Sequence, residues 1–298
     1  MNNKKDFIAK LGTTVRTKRI LITGASSGIG LAIARQLAPT GARLILVARS
    51  EDKLLHAQEE VARHGGHADI YTCDLSKDED TLQLTESIQN DLGGVDILIN
   101  NAGRSIRRPV TESTDRLHDF RRTMELNYFG SIRLILAFLP GMQERGDGHI
   151  LNILTMGCQV RTPKFSAYIA SKLALDAASR CMAAELKDQN IKMTQVYLPL
   201  VRTPMISPTE LYRSVTAMHV DSAAERTLEA IVTGQPRVMM PLGIIAELVH
   251  LWAPDYAQTL LNKLENVEPK PPSTTAAKLG EKLLNLLAYG TKQSEGAQ

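Results

Sequence analysis

"RILITGASSGIG", residues 19–30, is the stretch on which the fold turns. A short apolar run, 19–23, ends at a glycine. Helical periodicity then begins at Ile29 and continues to Leu37, closed by Pro39 and Gly41. Between the two lies a loop with Gly24, Gly28 and Gly30. Glycines at this spacing allow a tight turn, close approach of the backbone to a ligand, and close packing of the helix. A pyrophosphate can then lie over the helix N-terminus, where free N–H groups and the helix dipole favour anions. A glycine triplet alone is weak, but its position after a strand and before a helix is the required context. Gly24, Ser26, Ser27, Gly28, Ile29 and Gly30 are therefore candidate contacts for a dinucleotide.

Working outward, the same alternation repeats. "RLILVA" (43–48) is followed by a charged helix to about His64, then "ADIYT" (68–72), a helix near 78–91, and "DILIN" (96–100). "HILNIL" (149–154), a long helix from about Ser166 to Lys187, and "KMTQVYL" (192–198) come later. Continuous apolar strands set between helices predict a parallel sheet covered on both faces. The expected fold is α/β, a doubly wound Rossmann sheet. Past residue 240 the character changes. "LGIIAELVHLWAP" is strongly apolar, "EPKPPSTT" (268–275) reads as a linker, and an amphipathic helix near 276–289 precedes a polar tail. Residues 17–240 are expected to form the dinucleotide-binding catalytic domain and 241–298 a helical extension with a polar tail.

The bulk numbers exclude several classes. The 298 residues carry 35 basic and 32 acidic side chains, a net charge of +3, which is too balanced for general nucleic-acid binding. Cys73, Cys158 and Cys181 are far apart, which argues against a disulfide framework. The seven histidines have no metal-ligand spacing, and no metal is expected. "MNNKKDFIAK" lacks the apolar centre of a signal peptide, and no run of about 18 apolar residues occurs. A cytoplasmic protein is expected.

Two further features carry chemistry. The second strand ends "VARS", with Ala48 where an acidic residue would bind a ribose 2′-hydroxyl, and Arg49 follows. A guanidinium in place of a carboxylate suits a 2′-phosphate, so NADPH is expected over NADH. "FSAYIASK" (165–172) sets Tyr168 and Lys172 four apart, on one face of a helix. A neighbouring ammonium favours the phenolate and lowers a tyrosine's pKa from about 10.

Together, "TGASSGIG", "CDL" (73–75), "NNAG" (100–103), Asn127 in "ELNYFG" and "YIASK" (168–172) resemble the short-chain dehydrogenase/reductase family from about Lys18 to Met240. The resemblance implies that Tyr168 is the proton donor or acceptor. It implies that Lys172 lowers the pKa of Tyr168 and binds the nicotinamide ribose, and that Asn127 shapes a helix and holds a relay water. It implies that Asp74 binds the adenine edge and that Asn101, Ala102 and Gly103 line the cofactor cleft. Val201 and Thr203 match the positions that hold the carboxamide. Thr155 stands where the family has serine, thirteen residues before the tyrosine. It keeps the hydroxyl that can hydrogen-bond a substrate oxyanion. Leu198-Pro199 stands where the family usually has Pro-Gly.

"NNAGRSIRRPV", "DRLHDFRRTMELNYFG", "FSAYIASKLALDAASRCMAAE" and "PLVRTPMISPT" are similar to the bacterial long-chain fatty acyl-CoA reductases of this superfamily. That resemblance implies hydride transfer from NADPH to a thioester, with fatty aldehyde and CoA as products. A reductase of a long-chain 3-keto lipid or 3-ketoacyl group, and a non-enzymatic NADPH-binding regulator, remain alternatives. Arg104, Arg107 and Arg108 are candidates for CoA phosphates, with a solvated basic loop as the alternative. Met205, Ile206, Leu211 and Met218 are candidates for an apolar lid. The stripe formed by Ile244, Leu248 and Leu251, with Ile245, Val249 and Trp252 beside it, has three readings: docking on the protein's own core, a contact between copies of the chain, or peripheral contact with a membrane. The first two are preferred, and a homo-oligomer is expected.

Overall fold

The computed structural model describes residues 2–206 and 216–265. The linker at 268–275, the helix near 276–289 and Leu211 lie outside the described residues.

The apolar runs form the sheet. They are β1 (Arg19–Thr23), β2 (Arg43–Ala48), β3 (His67–Thr72), β4 (Ile97–Asn100), β5 (Gly148–Thr155), β6 (Ile191–Leu198) and β7 (Arg237–Val238). Their order is β3-β2-β1-β4-β5-β6-β7, and every pair is parallel. Ile20, Leu21 and Ile22 are inaccessible on both sides, as expected of a strand sandwiched between helix layers. Strand order reverses between β1 and β4, and the crevice at the carboxyl ends of these strands is where such sheets take ligands. Register is set here by the pairings of Ile20 with Leu44 and Ile97, and of Asn100 with Asn152.

One face of the sheet is covered by α1 (Asn2–Val15), α2 (Gly28–Leu37), α3 (Glu51–Arg63) and α9 (Val220–Thr233). The N-terminal helix was not expected from the sequence, although Phe7, Leu11 and Val15 stand four apart; it buries Leu11 and Val15 in this core, with Phe7 packed against it. The other face is covered by α4 (Asp78–Leu92), α6 (Gly130–Arg145) and α8 (Ser166–Glu185). Between α5 (Leu117–Met124) and α6 the helix widens into a π turn, Glu125–Phe129.

The extension begins with α10 (Pro241–Trp252) and α11 (Pro254–Glu265). α10 packs on the short helix α7 (Gly157–Val160) just past β5. A Cβ on Gly243 would meet the Gln159 Oε1 at 2.2 Å, so any larger residue would have to displace that side chain. Glu247 accepts hydrogen bonds from Gln159 and Arg237, and the His250 Nε2 lies 2.9 Å from the Val160 carbonyl. The helix therefore docks through its few polar residues. Ile244, Ile245, Leu248, Leu251 and Trp252 face outward, the last two 72% and 82% exposed. The apolar stripe is not docked on the protein's own core; Glu247 and His250 already hold that side. No helix among the described residues is long and apolar enough to cross a membrane.

Candidate active site

The carboxyl ends of β1, β4, β5 and β6 open into a cleft of about 670 Å³. Its floor is the glycine loop. Gly24 and Gly28 have φ of +63° and +55°, a region L side chains rarely enter. A Cβ on Gly30 would lie 2.5 Å from the Gly24 carbonyl oxygen. The loop is thus held against the α2 N-terminus, with Ser26, Ser27 and Ile29 lining the cleft. Across it, a Cβ on Gly28 would touch Thr203 at 3.2 Å, so the segment after β6 closes over the loop. Val201 and Thr203 both line the cleft. These backbone constraints fit a dinucleotide.

The "NNAG" turn is fixed from β1. The Thr23 hydroxyl oxygen accepts the N–H groups of Asn101 and Ala102, each at 2.9 Å, and the Asn101 amide donates to the Thr23 carbonyl. Two strand ends at the switch point are locked to each other in this way. Thr23 was not a sequence candidate; its only signal is a hydroxyl at the strand's last position.

Asn127 is completely buried in the π turn. Its Oδ1 accepts the Arg104 N–H at 2.8 Å, and its Nδ2 donates to the Arg104 carbonyl and to the Ser171 hydroxyl, both at 2.9 Å. The Ser171 hydroxyl in turn donates to the Tyr168 carbonyl. This ties the turn after Gly103 to the helix that carries Tyr168 and Lys172. Ser171 is the second residue missed at the sequence level.

Lys172 is buried, with its Nζ donating to the Ile153 carbonyl of β5 at 2.8 Å. Loss of hydration lowers its pKa to about 8. Gly103 packs closely here: a Cβ would come within 3.5 Å of that ammonium and 3.3 Å of the Asn127 Oδ1. Tyr168 lines the same cleft, its ring edge-on to Phe165 with centroids 6.4 Å apart. Thr155, the last residue of β5, also lines it. Its Oγ1 accepts the Gly157 N–H at 3.1 Å, which occupies one lone pair and leaves the hydroxyl proton to donate elsewhere.

At the other end, Ala48 and Arg49 leave β2 into the cleft, with Lys53 beside them. The Asp74 Oδ1 accepts both the Ser76 N–H and hydroxyl. Burial works to raise the Asp74 pKa, but those bonds and the charges of Arg49 and Lys77 hold it below the usual carboxylate range.

The basic segment after "NNAG" divides. Arg107 lines the cleft, Arg104 lines a neighbouring pocket, and Arg108 is committed to structure through an ion pair with Asp119 at 3.0 Å. The lid candidates divide too. Met205 and Ile206 line the cleft, whereas Met218 is core, pairing its backbone with Leu200 and Arg202.

Comparison with known proteins bears on this geometry. A family model described as short chain dehydrogenase matches residues 18–213. A fatty acyl-CoA reductase of Acinetobacter baylyi is 46% identical over 287 residues, 96% of each chain. A fatty acyl-CoA reductase of Mycobacterium tuberculosis is 44% identical, covering 83% of this chain and 84% of its own. Among solved structures, a metagenomic short-chain oxidoreductase in complex with NADP is 27% identical with a TM-score of 0.65, over 76% of this chain and 97% of that one.

Proposed function

The chain belongs to the short-chain dehydrogenase family, and on that premise we propose that it is an NADPH-dependent reductase converting long-chain fatty acyl-CoA to fatty aldehyde. The observation that carries this reading is a single cleft that brings Tyr168, Lys172 and Thr155 to one end and the glycine loop and Arg49 to the other. Two relatives that align over most of their length bear the name fatty acyl-CoA reductase.

The residues that would hold the dinucleotide are those of the glycine loop, Asn101, Ala102, Gly103, Val201 and Thr203. Arg49 would receive the 2′-phosphate and Asp74 the adenine edge. When bound, the nicotinamide supplies hydride to the thioester carbonyl carbon. The chain stabilises the negative charge that develops on the carbonyl oxygen. Thr155, whose Oγ1 already accepts the Gly157 N–H, would donate its hydroxyl proton, and Tyr168 would donate from α8. Tyr168 supplies the proton, and Lys172, one turn on in the same helix, favours the phenolate left behind. Asn127 fixes the turn that faces Lys172 and, by family analogy, a relay water.

The outward face of α10 and the exposed Tyr256 and Leu260 of α11 form an apolar surface that adjoins the cleft through Leu242. We assign it to peripheral contact with a lipid surface, from which a long acyl chain could reach the cleft. Phe129 and Leu136, exposed seven residues apart beside α6, are our candidates for contact between copies of the chain.

NADPH oxidation measured with palmitoyl-CoA, a long-chain 3-keto ester and no substrate, with aldehyde trapped as a hydrazone, tests the reading. Thioester-dependent oxidation with stoichiometric aldehyde is expected; turnover on the ketone alone would overturn the thioester assignment. Arg49→Ala is expected to weaken NADPH binding about tenfold, the scale of one charge-assisted hydrogen bond, and equal losses for NADPH and NADH would remove Arg49 from cofactor selection.

A further inference from the structure

α7 stands between the cleft and the extension. Its first residue, Gly157, donates its N–H to the Thr155 hydroxyl oxygen, and Gly157 and Val160 line the cleft. A helix of four residues cannot hold itself in place, so its position is set by what packs against it. α10 supplies three such contacts. Gly243 is set against Gln159 and Met156, Glu247 accepts from the Gln159 amide at 3.2 Å, and the His250 Nε2 lies 2.9 Å from the Val160 carbonyl. Gln159 is almost wholly buried, and its Oε1 meets no donor among the described residues. Its amide has one other acceptor there, the Met239 sulfur, which is a weak one. Glu247 is thus the one strong partner of Gln159 among the described residues. The same carboxylate is anchored on the far side of the site. Arg237 donates to Glu247 at 3.1 Å and to the Tyr197 hydroxyl, which donates to the Asp176 carboxylate at 2.6 Å. Asp176 lies on α8, one turn beyond Lys172. A chain of polar contacts therefore runs from α8 through β6, β7 and α10 to α7. It joins the helix of Tyr168 and Lys172 to the turn that bonds Thr155.

We propose that Glu247 is a positioning residue for the reaction: by gripping Gln159 it fixes α7 and, through the Gly157 N–H, aims the Thr155 hydroxyl at the oxygen where negative charge develops. Donors to such an oxygen act because they are held in place before the reaction, and a small misplacement costs much of the rate. Threonine is stiff about its first side-chain torsion, so the direction of its hydroxyl follows from the backbone at the end of β5 and from the Gly157 contact. Without Glu247 the buried Gln159 amide loses its charged acceptor, and α7 moves to find another. The extension then completes the site without placing a polar group in it. The inference rests on the reading of Thr155 as an oxyanion donor but not on the thioester, since a ketone develops the same charge.

The test is a double-mutant cycle over the wild type, Glu247→Ala, Thr155→Val and the double variant. It uses NADPH with whichever of palmitoyl-CoA and a long-chain 3-keto ester the wild type reduces faster. Glu247→Ala alone is expected to lower kcat at least fivefold while the dissociation constant for NADPH stays within twofold. In the Thr155→Val background the same change is expected to cost less than twofold, because residues that act through one another are not additive. Equal losses in both backgrounds, or no loss from Glu247→Ala, overturn the proposal and leave Glu247 as a mount for α10. A fully active Thr155→Val variant sinks the oxyanion reading and the proposal with it, whereas an impaired one with an additive Glu247→Ala sinks the proposal alone. Hydrogen exchange gives a readout without turnover. Backbone amides at 157–161 are expected to exchange at least tenfold faster in Glu247→Ala, with those of α8 within twofold of wild type. Unchanged exchange at 157–161 also overturns the proposal. Glu247→Gln takes the place of the alanine variant in both measurements, with the same directions expected, if the alanine variant does not fold.

Discussion

α8 and α10 are both rich in apolar and small residues, and they differ in what they leave outside. α8 buries Ser171, Lys172, Asp176 and Ser179, and each has a partner inside: Asn127, the Ile153 carbonyl, the Tyr197 hydroxyl at 2.6 Å and Asn152. α10 also turns its polar residues inward, to Gln159, Arg237 and Val160, but it leaves most of its large apolar side chains outside. Apolar periodicity tells which residues share a helix face, not which way that face points. Direction is decided by which polar groups find partners, because a buried polar group without one costs about 1–3 kcal/mol. Inward polar residues in α8 bear the proposed chemistry; in α10 they serve as a mount, and the apolar face is left uncovered by the described residues.

The contrast breaks most sharply at Tyr168. Replacing it with phenylalanine keeps the ring against Phe165 and is expected to lower turnover by at least ~10²-fold, the lower end for general acid catalysis, with NADPH still bound. Near-wild-type turnover would mean that the inward face of α8 is structural, like that of α10.

Lys172 allows a measurement of stability. Its pKa is about 8 in the folded protein and about 10.4 unfolded. Between those values the unfolded chain holds a proton that the folded chain lacks. Stability contributed by this group is therefore present above about pH 10.4 and is lost as pH falls through about 8. The wild type should gain up to about 3 kcal/mol between pH 7.5 and 10.5 relative to Lys172→Met, measured by chemical denaturation at both pH values. A constant difference would mean that the ammonium is hydrated.

Thr155 tests whether a hydroxyl at the end of β5 completes the face presented by α8. Thr155→Val is expected to lower kcat on the order of tenfold or more, the value of a hydrogen bond to a charged group, while Thr155→Ser stays within a fewfold of wild type. An active valine variant would mean that the oxyanion is bound elsewhere. The smallest effect on the fold is expected at α10. Leu248→Ser/Leu251→Ser/Trp252→Ser should shift stability by no more than about 0.5 kcal/mol per site and still abolish flotation with liposomes. Retained flotation would direct the membrane assignment away from this helix.

What could be read before the structure follows the same logic. The strands were legible because sheet interiors need unbroken apolar runs, and β1, β2, β5 and β6 match the predicted stretches to within a residue. The glycine loop and the Tyr168–Lys172 pair could be singled out by residue type and spacing, and Thr155 and Asn127 through the resemblance to the family; the roles given to them are proposals. Thr23, Ser171 and the contact of Glu247 with Gln159 could not be. Their partners are remote in sequence, and a lone hydroxyl or carboxylate looks the same whether or not it meets another group. The outward turn of α10 was hidden for a related reason: Gly243 and Gln159, 84 positions apart, set it by touching.

The π turn at Glu125–Phe129 bears on how this protein tolerates change in length. A π turn holds one residue more than the α-helical turn it interrupts. Deleting a single residue there would let the chain close into an ordinary α-helix, with α6 keeping its register on the sheet. Asn127, or whichever residue took its place, would then point about 100° away. A one-codon deletion in this turn is thus a lesion that natural variation could carry without losing the folded protein, and the product would be an intact shell whose amide no longer grips the backbone at Arg104. Insertions and deletions, usually the harshest edits to a helix, would in these five positions separate foldedness from turnover more cleanly than most substitutions can.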